Sequence, residues 1–258
     1  MIALVTGASS GIGREISISL ARRGIDLIIA ARRGQRLAEL KQELTERYGI
    51  RVHIVLGDLS KKEDCLRLYR EASRVRVDIL VNNAGFGVFG AFDESDLDAE
   101  LSMIDVNVKA VHILSKLFLR DFKARNSGYI LNIASLAGFM AGPNFAGYYA
   151  SKNYIVQLTK AIAEELRYDH SRVSVSAFCP GPVVTEFNEV SGVEFAVAGI
   201  SAAEAAEYAV EQMFRKKLLI VPTALGKTVV VSARLLPSKL VLRAAGAIQR
   251  ARKTTREE

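Results

Sequence analysis

The chain has 258 residues, half of them apolar and 24% charged, with a net charge of +7. That length and apolar share exclude a disordered or fibrous chain and fit one α/β domain, which at this size buries about three-quarters of the surface its unfolded form exposes. Cys65 and Cys179 lack CxxC spacing and His53, His112 and His170 are scattered, so neither a disulfide framework nor a metal site is expected.

The first strand-like run, IALVT (2–6), begins at Ile2. It leaves no room for a cleavable leader and predicts a cytoplasmic protein. IDLIIAA (25–31), RVHIVLG (51–57), VDILV (77–81), YILNIA (129–134), RVSVSAF (172–178) and LLIVP (218–222) complete a set of seven strand candidates. Their near-continuous hydrophobicity suits strands covered on both faces. Helical patterns lie between them, including REISISLARRG, RLAELKQELTERYG and, as the most regular, YIVQLTKAIAEELRYD (154–169). The alternation predicts an α/β fold, a Rossmann-like doubly wound parallel seven-stranded sheet with helices on both faces. Residues 184–200 lack strong periodicity and are expected to form a mobile loop or lid. No repeat, low-complexity tract or interdomain linker interrupts the pattern.

TGASSGIG (6–13) follows the first strand and opens a helix. Gly7, Gly11 and Gly13 permit a tight turn and close backbone approach, and the helix N-terminus offers free amides and a positive dipole end to a pyrophosphate. The plain alternative is an ordinary Gly/Ser-rich turn, which the strand–turn–helix context disfavours. In dinucleotide folds an acidic residue about 20 positions after the glycines selects the ribose 2′-hydroxyl. Here the place 19 residues beyond Gly13 reads Ala31-Arg32-Arg33. A guanidinium fork suits a 2′-phosphate, which predicts NADP(H), chiefly through Arg32 with Arg33 assisting.

YYASK (148–152) places Tyr148 and Tyr149 four and three residues before Lys152, inside a helical pattern. Both spacings make helix neighbours, so geometry alone does not separate the two tyrosines. A free phenol titrates near pH 10, and a nearby ammonium favours the phenolate that acid–base catalysis at neutral pH needs.

The TGxxxGxG spacing resembles the short-chain dehydrogenase/reductase family in its non-extended form. GDLS (57–60), NNAG (82–85), DVNVKA, NIASLAG, YYASK and PGPVVT (180–185) follow that family's pattern in order across residues 2–222. The resemblance implies Tyr148 as the acid–base residue of Tyr-x-x-x-Lys, with Tyr149 a pocket wall or packing residue. By the same resemblance Lys152 is expected to lower the phenol pKa and hold the nicotinamide ribose, Ser135 to donate to the substrate oxygen, and Asn107 to hold a water in a proton relay to Lys152. It further implies that Asp58 and Leu59 meet the adenine. Cofactor contacts are expected from Ser9, Ser10, Ile12, Asn83, Ala84 and Gly85, and beside the nicotinamide from Pro180, Gly181, Val183 and Thr185. The implied activity is NADPH-dependent reduction of a small-molecule carbonyl. A catalytically idle dinucleotide-binding regulator or membrane-associated scaffold is the alternative, and the complete Ser135, Asn107, Tyr148 and Lys152 set opposes it. By the same resemblance, helices around 99–122 and 150–169 form a homodimer or homotetramer interface. Residues 85–92 with Phe139, Met140, Phe145, Phe187 and Phe195 suggest an apolar pocket without naming its ligand.

The basic charge belongs to the tail. Eleven of the 35 Lys and Arg lie from Arg215 to Arg256, leaving 24 basic against 26 acidic residues once the two terminal glutamates are set aside. The division falls into residues 1–223, the NADP-binding catalytic part, and 224–258, a helical basic extension. Charged residues interrupt every stretch long enough to span a bilayer, so two amphipathic helices divided at Pro237 are expected. They can pack on the domain or a partner subunit and cover the substrate cleft, or attach peripherally to anionic lipid. Nucleic acid is disfavoured, since the tail offers no aromatic side chain for base stacking.

Overall fold

The computed structural model describes residues 1–187, 191 and 199–250. Strands β1 (Ile2–Thr6), β2 (Asp26–Ala31), β3 (Val52–Leu56), β4 (Ile79–Asn82), β5 (Tyr129–Ile133), β6 (Ser174–Phe178) and β9 (Leu219–Ile220) form one sheet in the order β3-β2-β1-β4-β5-β6-β9. All its pairings are parallel. The uninterrupted apolar runs resolve into two faces because successive strand residues point opposite ways. Ala3, Val5, Leu27, Ile29, Ile79 and Val81 pack on one side with α1 (Gly11–Ala21), α2 (Gly34–Tyr48) and α7 (Ala202–Phe214). Leu4, Ile28, Ala30 and Leu80 pack on the other with α3 (Lys62–Ala72), α5 (Val111–Ala124) and α6 (Ala146–Tyr168).

Strand order reverses between β1 and β4, and the crevice at the carboxyl ends there is where open α/β sheets bind ligands. A buried polar chain fixes the helices beside it. Asn82 Nδ2 donates to Asn132 Oδ1 at 2.8 Å and to Ser115 Oγ on α5 at 2.9 Å, and Asn132 Nδ2 donates to Thr159 Oγ1 on α6 at 3.0 Å.

Three features depart from the expected pattern. Helix α4 (Leu97–Ile104) runs into α5 through a π-helical turn, Asp105–Ala110, that carries Asn107. Two residues each from β7 (Val183–Val184) and β8 (Ile200–Ser201) pair in parallel as a separate small sheet at the two ends of the span expected to be irregular. The rest of the expected lid, 188–190 and 192–198, lies outside the described residues. Strand β9 keeps only the centre of LLIVP, because it is an edge strand paired with β6 over two positions. The tail forms α8 (Ala224–Leu235) and α9 (Ser238–Arg250), broken at Pro237 as expected. Among the described residues no helix is long and apolar enough to cross a membrane.

Candidate active site

The glycine-rich turn and the β4 turn are clasped together. Thr6 Oγ1 accepts from the amides of Asn83 and Ala84 at 3.0 and 3.1 Å, and Asn83 Nδ2 donates to the Thr6 carbonyl at 2.9 Å and to the Gly7 carbonyl at 3.1 Å. Gly7 has φ +65°, and a Cβ there would lie 2.8 Å from Ala84 Cα. A Cβ on Gly13 would collide with the Asn83 amide and the Gly7 carbonyl. Only glycine fits this cradle, and Ser10, the N-cap of α1, leaves the first amides of the helix without a side-chain cap. That donor set suits a pyrophosphate. Thr185 closes the far side, its Cβ 3.2 Å from where a Gly11 Cβ would sit, so the β1 and β6 loops meet. Ile12 turns inward onto the core.

Arg33 lies across this loop. Its guanidinium donates to Ser9 Oγ at 3.1 Å and to Ser10 Oγ at 2.6 Å, and pairs with Glu186 at 2.8 Å. Arg36 takes the other Glu186 oxygen, and the two arginines hold that carboxyl below its usual range. Arg32 is exposed and makes no ion pair among the described residues. An open depression of about 310 Å³ beside them is lined by Ser9, Ser10, Arg14, Arg36 and Glu186 among others. Asp58 is folded into its own turn, accepting from the Ser60 amide and hydroxyl at 3.1 and 2.9 Å, while Leu59 is buried against the second core face.

Lys152 is buried, and its ammonium donates to the Ile133 carbonyl at 2.9 Å, which carries the head from α6 to the end of β5. Burial pushes its pKa down to about 8. The Tyr148 ring centroid lies 5.6 Å from that nitrogen, and the ring stacks on Phe145 at 4.6 Å. A Cβ on Gly85 would meet Asn107 Oδ1 at 2.8 Å and Lys152 Nζ at 3.5 Å, so this glycine lets both approach. Asn107 pairs with the Phe86 amide and carbonyl at 3.1 and 2.9 Å and donates to Ser151 Oγ at 3.1 Å. Ser135 caps a 3₁₀ turn, Leu136–Phe139, its Oγ accepting from the Ala137 amide at 3.1 Å. The Leu136 amide donates to the Pro180 carbonyl at 2.9 Å, and Leu136 also lies against Gly181. Ala137 of this turn packs in one cluster with Tyr148, so Ser135 and Tyr148 belong to adjoining segments.

Tyr149 meets Tyr148 edge to face, with ring centroids 6.3 Å apart, but its other contacts differ. Its ring lies over Gly142, where a Cβ would approach within 2.5 Å, and its hydroxyl accepts from Gln249 Nε2 of α9 at 2.6 Å. Phe86, Val88, Phe89, Phe145 and Phe187 pack in one apolar cluster with Tyr148. Phe139 instead packs with Val221 and Val230 on the tail side, Phe92 is exposed, and Phe195 lies outside the described residues.

Sequence reasoning missed Arg36, Glu186, Asn153 and Gln249. Glu186 directly follows Thr185 of PGPVVT, and Asn153 directly follows Lys152, so adjacency to a motif was the available signal. Gln249 carried none, since its contact spans 100 positions.

The short chain dehydrogenase family profile matches residues 1–194. Farnesol dehydrogenase of Aedes aegypti is 36% identical over 202 residues, 75% of this chain and 81% of that protein. Among solved structures, a short-chain dehydrogenase from Sphingobium yanoikuyae in complex with NADPH is 28% identical at a TM-score of 0.83, covering 90% of this chain and 93% of that one. A short-chain dehydrogenase/reductase from Burkholderia phymatum in complex with NAD is 26% identical at a TM-score of 0.82, covering 91% and 92%. With its sheet order, glycine cradle and Tyr148–Lys152 pair in place, the chain belongs to the short-chain dehydrogenase family of oxidoreductases.

Proposed function

We propose that the protein is an NADP(H)-dependent carbonyl reductase acting on an apolar ketone or aldehyde. The observation that carries this reading is the buried Lys152 head, held at the end of β5 beside Tyr148 and Gly85. When bound, the dinucleotide supplies the hydride. Tyr148 gives its proton to the substrate oxygen, and Ser135 donates a hydrogen bond to the same oxygen as negative charge develops. The Lys152 ammonium favours the phenolate left behind and holds ribose hydroxyls, while Asn107 keeps the Phe86 backbone and Ser151 in place next to it.

The cradle of Gly7, Gly11 and Gly13 fits a pyrophosphate, and Arg33 with its neighbours Arg32 and Arg36 fits a 2′-phosphate. The NADPH-bound Sphingobium structure supports the same choice, whereas the Burkholderia structure holds NAD, so the arginines bear the argument for this chain. An apolar substrate accords with the aromatic wall around Tyr148 and with farnesol dehydrogenase among the relatives. Self-association through the α4–α5 and α6 faces accords with the exposed Leu97, Leu101 and Ile104, spaced for one helix face, and with exposed Tyr154.

The test is NADPH oxidation by the purified protein against ketones and aldehydes from short polar to long acyl and isoprenoid compounds. Tyr148→Phe is expected to lower turnover at least about 10²-fold while leaving NADPH binding intact, and Tyr149→Phe to act far less. Equal activity in both variants and the wild type would remove Tyr148 from the mechanism.

A further inference from the structure

Helices α8 and α9 form a hairpin whose two sides differ. The inner side is buried on the domain through Gly226, Val230, Ala245 and Gln249, the last bonded to Tyr149. The outer side and the turn at Pro237 carry large apolar groups in the open: Val231 is 54%, Leu235 78%, Leu236 49% and Leu240 52% exposed. Val231 and Leu235 are four apart and share one helix face. Lys227, Arg234, Lys239 and Arg243 stand among them, all exposed. Between Glu211 and Glu257 the sequence has no acidic residue.

From this we infer that the Pro237 turn of the hairpin is a docking surface for an anionic lipid bilayer, the leucines entering the headgroup boundary and the four cations meeting phosphates. The alternative occupant, a second copy meeting this face about a two-fold axis, sets the same patch against itself. Lysines and arginines would then face lysines and arginines with no carboxylate from either hairpin to offset them, a costly juxtaposition. An anionic surface satisfies both the apolar and the charged groups at once. The turn is also placed for delivery. Leu240 and Gln249 are nine residues apart on α9, about 14 Å of helix, so a docked tip stands that far along α9 from the Tyr149 wall.

Vesicle co-sedimentation of the full-length protein tests this, with phosphatidylcholine alone and with phosphatidylcholine–phosphatidylglycerol mixtures. Wild type is expected on the anionic vesicles, and to leave them as salt is raised. The combined Leu235→Ser, Leu236→Ser and Leu240→Ser variant should bind at least about tenfold more weakly, as should Lys227→Gln with Lys239→Gln and Arg243→Gln. Thermal unfolding and NADPH titration are expected to be unchanged in both, because every substituted side chain is exposed and remote from the cradle. Failure of wild type to sediment, or sedimentation of the leucine variant like wild type, would overturn the inference. So would absent vesicle binding together with a solution mass that falls in the leucine variant, which would assign the face to a second copy. None of these readouts depends on turnover, so a failure here leaves the carbonyl reductase reading standing, and the reverse holds.

Discussion

Glu186 is a carboxylate where the 2′-phosphate of the proposed cofactor would meet Arg33. One of its oxygens pairs with Arg33 at 2.8 Å and the other with Arg36, while Arg33 also reaches the hydroxyls of Ser9 and Ser10. A 2′-phosphate engaging Arg33 has to displace this internal anion or sit beside it, and either event costs binding free energy that NADH does not lose. The pairs are partly exposed, with side chains 36–44% accessible, so each is worth no more than about 1 kcal/mol. Glu186→Gln is therefore expected to tighten NADPH about two- to fivefold and to leave NADH unchanged, read by fluorescence titration. Weaker NADPH binding in that variant would mean that Glu186 positions the arginines instead of competing for them. The two-arginine signal at the end of β2 was plain in the sequence, but its partner was not. Glu186 lies 153 positions from Arg33, and only the fold shows that the β6 loop crosses the glycine turn.

Asn153 works at the level of elements, joining α6 to the turn that carries Ser135. Its amide nitrogen lies within hydrogen-bond distance of three carbonyl oxygens, Ala137 at 3.0 Å and Met140 and Tyr149 at 2.9 Å each. Without it the 3₁₀ turn keeps Ser135 as its cap but loses its brace to the helix that bears Tyr148 and Lys152. Asn153→Ala is expected to lower stability by about 1–2 kcal/mol in urea unfolding, since two half-buried carbonyls outside the helix lose their partner. It should also lower kcat more than it raises KM, because Tyr148 and Ser135, the pair proposed to contact the substrate oxygen, fall out of register. An unchanged kcat in a destabilised variant would limit Asn153 to a structural role. The sheet was legible because strands such as β1, β2 and β4 put apolar residues on both faces, and the helix division at Pro237 because proline cannot continue the hydrogen-bond ladder. The π turn was not legible. Asp105–Ala110 reads as ordinary helix in sequence, and the extra residue shows only in how Asn107 reaches Phe86 and Ser151. Nor does spacing separate Tyr148 from Tyr149, which part company through Lys152 on one side and Gln249 on the other.

At the scale of the whole molecule, holding an ammonium inside the domain makes folding itself depend on pH. Lys152 titrates near pH 10.5 when unfolded and is pushed down to about 8 by burial. Between those values the unfolded chain binds a proton that the folded chain does not, so stability rises with pH across the window. The buried thiols oppose it from about pH 9, the ordinary value of a free cysteine, because burial raises Cys65 to about 11 and Cys179 to about 12 and the folded chain keeps protons that the unfolded one loses. The lysine contribution is therefore read between about pH 8 and 9, where it adds up to about 1 kcal/mol. Urea unfolding of the protein without added dinucleotide is expected to show that rise, and Lys152→Met to flatten it while leaving the fall above pH 9. An identical rise in the variant would place its source elsewhere. A flattened one would show that the fold bears a standing cost near neutral pH to keep a cation beside Tyr148, a cost that one hydrogen bond to the Ile133 carbonyl does not explain and the proposed proton transfer would.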